Sequence, residues 1–263
     1  MPPIASPLDV NQHNAEIHEN LQHWQRKPGL QAEYRRFYQE IAGRLTGLPP
    51  GPVLECGSGI GNLKSVLPHA ITSDLFPNPW LDRQENIFAL SDADASLAAV
   101  VLFDVFHHLQ YPGTALLELH RVLKPGGRII LFEPAVGLLG RVVLGLFHHE
   151  PLALAEPITW TAPAGFNPRA INYYAAQGNA WRLFSGAGQP TPLAEIGLRP
   201  SEVSYFPALP WLLTGGFRGP SLCPHALRVI PDGLEWALRM APKLFASRMI
   251  VVLEKTEPKG ETR

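Results

Sequence analysis

Three groups of residues have the types and spacing to do chemistry. The stretch Val53–Leu63 reads VLECGSGIGNL, so Glu55 precedes Gly57, Gly59 and Gly61 at alternate positions. Glycine tolerates positive φ and lets a ligand touch bare main chain. A dinucleotide loop needs G-x-G-x-x-G so that a helix N-terminus can face a pyrophosphate. The spacing here differs, and Glu55 would repel a pyrophosphate yet tolerate a cationic ammonium or sulfonium ligand. A tight turn without a ligand is the competing reading. Asp74, in ITSDLFPN, is a carboxylate able to accept two hydrogen bonds from adjacent hydroxyls; capping the turn before Pro77 is its alternative role. The third group is His107-His108 with His148-His149-Glu150. Imidazole is the usual proton acceptor for a hydroxyl substrate, and Glu150 stands beside the second pair. A structural role, with an imidazole bonded to nearby backbone, competes at each histidine. No metal centre is expected: adjacent histidines on a helix point about 100° apart, and no Cys or Asp cluster joins them.

The elements around these residues alternate. Val53–Cys56 and Ala70–Asp74 are short strands ending at the glycine turn and at Asp74. Leu97–Phe103 is an apolar run without alternation, as in a strand covered on both faces. Pro112–Leu123 carries a helical stripe, and Arg128–Glu133 is another buried strand. This βαβ rhythm predicts an α/β fold with a doubly wound, mostly parallel sheet. Such sheets bind ligands at the carboxyl ends of their strands, where the turn, Asp74 and His107 all fall. Upstream, Asn14–Leu48 has helical periodicity, with Pro28-Gly29 separating a shorter helix from a longer one; the first ten residues read as a loose arm. Downstream, Gly137–Phe147 is a helix apolar nearly all round, with burial favoured over contact with a lipid-like ligand or membrane surface. Pro200–Phe206 and Arg248–Glu254 are late strands, and Lys255–Arg263 is a polar, disordered tail.

ECGSGIG resembles the first motif of the class I, Rossmann-like S-adenosylmethionine-dependent methyltransferases of small-molecule type. ITSDLFPN, LAAVVLFDVFHHL and RVLKPGGRIILFEP are similar to three further segments of that family, in the expected order over residues 50–134. The resemblance implies S-adenosyl-L-methionine as cofactor and S-adenosyl-L-homocysteine as product. It implies that Gly57, Gly59 and Gly61 seat the methionine portion with Glu55 beside it. Asp74, with Leu75 next to it, would hold the ribose, and Phe103 and Asp104 would flank the sulfonium. The chain departs from the family pattern before the fourth strand, where Leu97-Ala98 replaces the usual F-D. The adenine contact is open among Glu85, Asn86 and Asp92. The catalytic candidates are His149, Glu150, His107 and His108.

The resemblance also organises the chain. Residues 1–48 are expected to form an N-terminal helical arm or lid, and 49–134 the cofactor-binding core. Residues 135–205 form a helical, aromatic insertion over the acceptor after the fifth strand, and 206–263 complete the sheet. Trp160, Phe166, Tyr173, Tyr174, Trp181, Phe184 and Trp211 are candidates to line the acceptor pocket or to form the insertion's core.

Composition narrows the partners. The 263 residues are 46% hydrophobic with a formal net charge of -1, which gives no general attraction to nucleic acid. The Asn/Asp-Pro-Pro-Tyr/Phe signature of base-modifying relatives is absent, with FDVFHH in its place. The expected acceptor is a small molecule, lipid- or saccharide-like, with oxygen favoured over nitrogen or carbon. Two distant cysteines, Cys56 and Cys223, and no signal-like N-terminus lead to a cytoplasmic expectation. Ala135–Phe147 is too short to span a bilayer, so no stable membrane insertion is expected, and the protein is a monomer or homodimer. The rival readings are a methyltransferase-like binding protein without turnover and, less favoured, a nucleotide-dependent oxidoreductase.

Overall fold

The structure, a computed structural model, describes residues 4–7, 10–147, 150–169, 172–186, 192–222 and 229–256. Strand β1 (Ile4–Pro7) precedes helices α1 (Val10–Arg26) and α2 (Pro28–Gly43), which break at Pro28 as expected. They are of nearly equal length, 17 and 16 residues. Strands β2 (Val53–Cys56), β3 (Ile71–Asp74), β4 (Arg83–Gln84) and β5 (Leu97–Phe103) follow. Then come α3 (Pro112–Val122), β6 (Leu123–Pro134) and α4 (Leu138–Phe147). The insertion contributes β7 (Asn172–Ala175) and α5 (Asn179–Phe184). The chain ends with β8 (Leu198–Phe206), α6 (Leu209–Leu213), α7 (Val229–Leu238), α8 (Pro242–Phe245) and β9 (Arg248–Lys255).

Seven strands form one sheet in the order β4-β3-β2-β5-β6-β9-β8. The first five run parallel, and β9 is antiparallel to both β6 and β8. The order reverses direction between β2 and β5, so a crevice opens at their carboxyl ends. Strand β5 is buried at all seven residues, which accounts for its unalternating sequence. Its Val100 and Leu102 face α3, packing with Leu116 and Leu119. Its Val101 and Phe103 face α2, packing with Leu30, Tyr34, Phe37 and Ile41. The expected mostly parallel, doubly wound sheet is present.

Besides the lengths of α1 and α2, two further local expectations differ from the structure. Residues Ile4–Pro7 are not a loose arm: they pair antiparallel with β7, Ile4 opposite Ala175 and Pro7 opposite Asn172. Four residues carry too little pattern to announce a strand whose partner lies far away in sequence. Helix α4 is not buried all round. Gly137, Gly140 and Leu144 face inward, whereas Leu138, Val142 and Leu146 are 53%, 48% and 74% exposed. Close backbone approach decides the inward face, since a Cβ on Gly137 would lie 2.6 Å from the Ala246 nitrogen. Leu146→Lys should therefore change stability by less than about 0.5 kcal/mol. Leu144→Ala should cost roughly 2–4 kcal/mol. Equal losses in urea denaturation would contradict this assignment of faces. The tail from 257 onward and Cys223 lie outside the described residues.

Candidate active site

The glycine turn begins where β2 ends. Gly57, Gly59 and Gly61 have φ of 72°, 53° and 72°, in the left-handed region that a side chain resists. A Cβ on Gly57 would meet Val105 Cγ2 at 2.3 Å, so the turn and the chain after β5 are in close contact. Asp74, at the end of the adjacent β3, ties the turn down. Its Oδ2 accepts the Gly59 N–H at 2.9 Å, and its Oδ1 accepts the Leu75 N–H at 2.7 Å. Glu55 is 2% exposed, and its Oε2 has no hydrogen-bond partner among the described residues. Burial pushes its carboxyl up to about 8; the Ser58 hydroxyl opposes this and the Asp74 charge adds to it. An orphaned carboxylate oxygen beside bare main chain is the electrostatic complement of a ligand ammonium group.

Helix α1 covers this turn. The Ile17 Cδ1 lies 3.6 Å from a Cβ position on Gly59, and the His13 Nε2 is 3.8 Å from Asp74 Oδ1. Trp80 donates its indole N–H to the Gly59 carbonyl at 2.8 Å, and His18 packs edge-on against its ring. Sequence reasoning missed His13, Ile17 and Trp80, because only the fold returns α1 and the loop after β3 to the turn.

Phe103 is 9% exposed and stacks between Phe132 and Tyr34, at 4.7 and 5.3 Å. Asp104 follows with φ of 55°. Its carboxylate is held by Arg248, whose guanidinium lies 4.1 Å over the Trp211 ring. Of the three adenine candidates, Glu85 follows β4 directly, but its carboxylate already accepts from Ser91 and pairs with Arg83. Asp92 pairs with Arg83, and Asn86 donates to the Pro168 carbonyl.

The second cluster is built on Glu133 at the end of β6, fully buried. Its Oε1 accepts the N–H groups of Val105 and Phe106 at 2.9 and 2.7 Å; its Oε2 accepts from the His107 backbone at 3.3 Å. The same Oε2 lies 2.7 Å from His107 Nδ1. His107 Nε2 faces Glu150 Oε2 at 3.6 Å, and His108 Nε2 faces Glu150 Oε1 at 3.8 Å. His108 Nδ1 meets the Tyr174 carbonyl at 2.8 Å. Tyr173 and Gln177 both donate to the Glu150 carboxylate. Burial lowers the His107 pKa, but Glu133 and Glu150 outweigh it and raise it to about 10. Burial and the His107 charge lower that of His108. Burial raises the Glu150 pKa, but the two histidines hold it well below the ordinary carboxylate range.

The fold thus joins His107, His108 and Glu150, three of the four catalytic candidates; His149 lies outside the described residues. Glu133 and Gln177 were missed. An acid closing the apolar run RIILFE was the signal for Glu133, since a buried carboxylate needs partners. Of the expected lining aromatics, Tyr173 reaches this cluster. Phe184 packs on Phe106, Phe166 on Phe88 and Tyr111, and Trp181 on Tyr205.

Residues 54–131 match the family model described as a methyltransferase domain. No curated protein matches the chain. Solved structures share the fold at low identity. One is a SAM-dependent methyltransferase, possible histamine N-methyltransferase, from Thermotoga maritima, 15% identical with a TM-score of 0.51; the match covers 92% of this chain and 99% of that one. Another is geranyl diphosphate C-methyltransferase from Streptomyces coelicolor A3(2), in complex with Mg2+, geranyl diphosphate and S-adenosyl-L-homocysteine. It is 12% identical with a TM-score of 0.51, over 85% of this chain and 79% of that one. With the glycine turn, the reversing strand order and Asp74 in place, residues 54–131 match the methyltransferase-domain model and the chain has the class I, Rossmann-like fold of these structures.

Proposed function

We infer that the protein is an S-adenosyl-L-methionine-dependent methyltransferase acting on a small-molecule acceptor, with oxygen the favoured methyl acceptor. One observation carries this reading: the partnerless Oε2 of buried Glu55 stands at a turn of three positive-φ glycines, beside the Asp74 carboxylate. That is a seat for a ligand with an ammonium group at one end and a diol at the other. The cofactor-binding set is Glu55, Gly57, Gly59, Gly61, Asp74, Leu75, Phe103 and Asp104. When bound, the cofactor supplies a methyl carbon already activated by a positive sulfur and leaves as S-adenosyl-L-homocysteine.

The chain's own task is then alignment, exclusion of water and removal of a proton. Of the catalytic candidates His107, His108, Glu150 and His149, the proton acceptor proposed is His108, kept neutral by burial and the His107 charge. His107 already carries its proton and Glu150 is a weak base, so these two position it. Arg248 steadies Asp104 between the cofactor seat and this cluster. The Arg248 side chain is nearly buried, so its charge acts in a poorly screened setting. The exposed apolar stripe of α4, in the first part of the insertion, favours a lipid-like acceptor over a saccharide-like one. Among the described residues no helix is long and apolar enough to cross a membrane.

Calorimetry at pH 7 tests the reading. S-adenosyl-L-homocysteine should bind and NAD should not. Binding should release a proton from Glu55, because its carboxyl is largely neutral below about 8 and a ligand ammonium favours the ionised form. The apparent enthalpy will then differ between buffers of unlike ionisation enthalpy, and Glu55→Gln will remove that difference. Binding of NAD without S-adenosyl-L-homocysteine would instead establish the oxidoreductase. Binding without turnover on any lipid or saccharide acceptor would favour the non-catalytic rival.

A further inference from the structure

We propose that His107, His108 and Glu150 form a binding site for a divalent transition-metal ion, with Zn2+ the fitting species. The helical argument against such a site is overridden by the observed side-chain directions in the short turn Phe106–His108. The two imidazole rings lie side by side, centroids 4.1 Å apart, and both Nε2 atoms converge on one carboxylate.

Ligand geometry supports the assignment. One ligand atom from each of the three residues lies within 4.8 Å of the others. The nitrogen-to-oxygen separations of 3.6 and 3.8 Å approach the ~3.4 Å between neighbouring ligands of tetrahedral zinc. Two imidazoles and one carboxylate suit zinc and its first-row neighbours, whereas Mg2+ and Ca2+ prefer oxygen alone.

Hydrogen bonding supplies a second, independent line. The Tyr174 carbonyl can only accept, so the His108 nitrogen bonded to it, Nδ1, carries the proton. A neutral His108 then presents a bare Nε2 lone pair to a carboxylate oxygen, and two acceptors face each other without a hydrogen between them. His107 differs: its Nδ1 bonds the Glu133 carboxylate, and its Nε2 points at Glu150 as an ion pair, so a metal ion would take the place of the Nε2 proton. One cation between the three groups resolves the His108 contact and replaces the His107 proton. It also offsets two buried carboxylates, Glu133 and Glu150.

The surroundings are those of a metal ligand set. Ligating histidines typically donate their second N–H to a carboxylate or a backbone carbonyl, as His107 and His108 do. The Glu150 oxygens are held by Tyr173 and Gln177. The His108 side chain is 33% exposed, against 3% and 7% for His107 and Glu150, so the fourth ligand position opens on its side. With the ion in place His108 would be a ligand rather than the proton acceptor, and an acceptor hydroxyl bound there would give its proton to solvent water, the ion's charge stabilising the resulting anion. This role deepens the proposed methyl transfer and rests on it; the ion's binding does not.

The test uses the full chain, stripped of metal by a chelator and dialysed. Zn2+ titrated in a calorimeter should bind at one ion per chain, and Co2+ should give visible d–d bands of a low-coordinate site. His108→Ala and Glu150→Gln should each weaken Zn2+ binding at least about 100-fold. Both should still bind S-adenosyl-L-homocysteine, showing that they are folded. Wild type that binds S-adenosyl-L-homocysteine but no Zn2+ would overturn the metal site and leave the methyltransferase reading intact. Zn2+ binding undiminished in both variants would overturn it as well, by placing the ion elsewhere.

Discussion

Asp74→Ala should lower affinity for S-adenosyl-L-homocysteine by roughly 100- to 10,000-fold while the protein remains folded. Two charge-assisted hydrogen bonds to a diol contribute about 1.5–3 kcal/mol each, and about 1.4 kcal/mol corresponds to a factor of ten. Asp74 also holds the Gly59 and Leu75 N–H groups, so its loss loosens the turn as well as removing the ligand's partner. Asp74→Asn separates the two effects. Its amide oxygen can still accept from one N–H, so it should recover part of the turn but little of the affinity. Calorimetry on both variants, with circular dichroism as the check on folding, reads the outcome. Affinity within about threefold of wild type for Asp74→Ala would remove Asp74 from the cofactor seat.

The largest effect on stability is expected at Glu133. Glu133→Ala leaves three backbone N–H groups and the His107 imidazole facing an empty, buried space. Removing one partner of a buried ion pair costs about 3–5 kcal/mol. For a chain of this size that is a fall in Tm of roughly 10 °C. Asp94→Ala is the comparison. Asp94 pairs with Arg121 at 2.6 Å, but its side chain is 79% exposed, and such surface pairs contribute about 0.2–1 kcal/mol. Similar small losses in both variants would mean that Glu133 does not organise the turn after β5.

Much of the fold and half of the site could be read along the chain. Strand β5 announces itself, because a strand covered on both faces needs apolar residues at every position. The glycine turn does so too, because positive φ and backbone contact with a ligand restrict the residue type strongly. Asp74 is legible from its place at the end of β3. The parallel run of the first strands follows from the βαβ rhythm, since parallel neighbours need crossover connections; their order in the sheet came only from the fold.

The acceptor side was legible only as a set of residue types. His107 and His108 stood out as histidines after β5, but the direction of their rings depends on Glu133 from β6, Tyr174 from β7 and Glu150 from the insertion. None of these is near the pair in sequence. The outward face of α4 was marked in sequence only by Arg141, because Leu138, Val142 and Leu146 on the same exposed side are as apolar as the inward residues. Its orientation was settled by Gly137 and Gly140 meeting the backbone at Ala246 and Ala135. Local pattern can specify conformation and burial where the constraint falls on one residue or one element. Convergence of side chains from distant elements is a property of the packed sheet, because the free energy that orients them comes from partners the folded chain alone brings within reach.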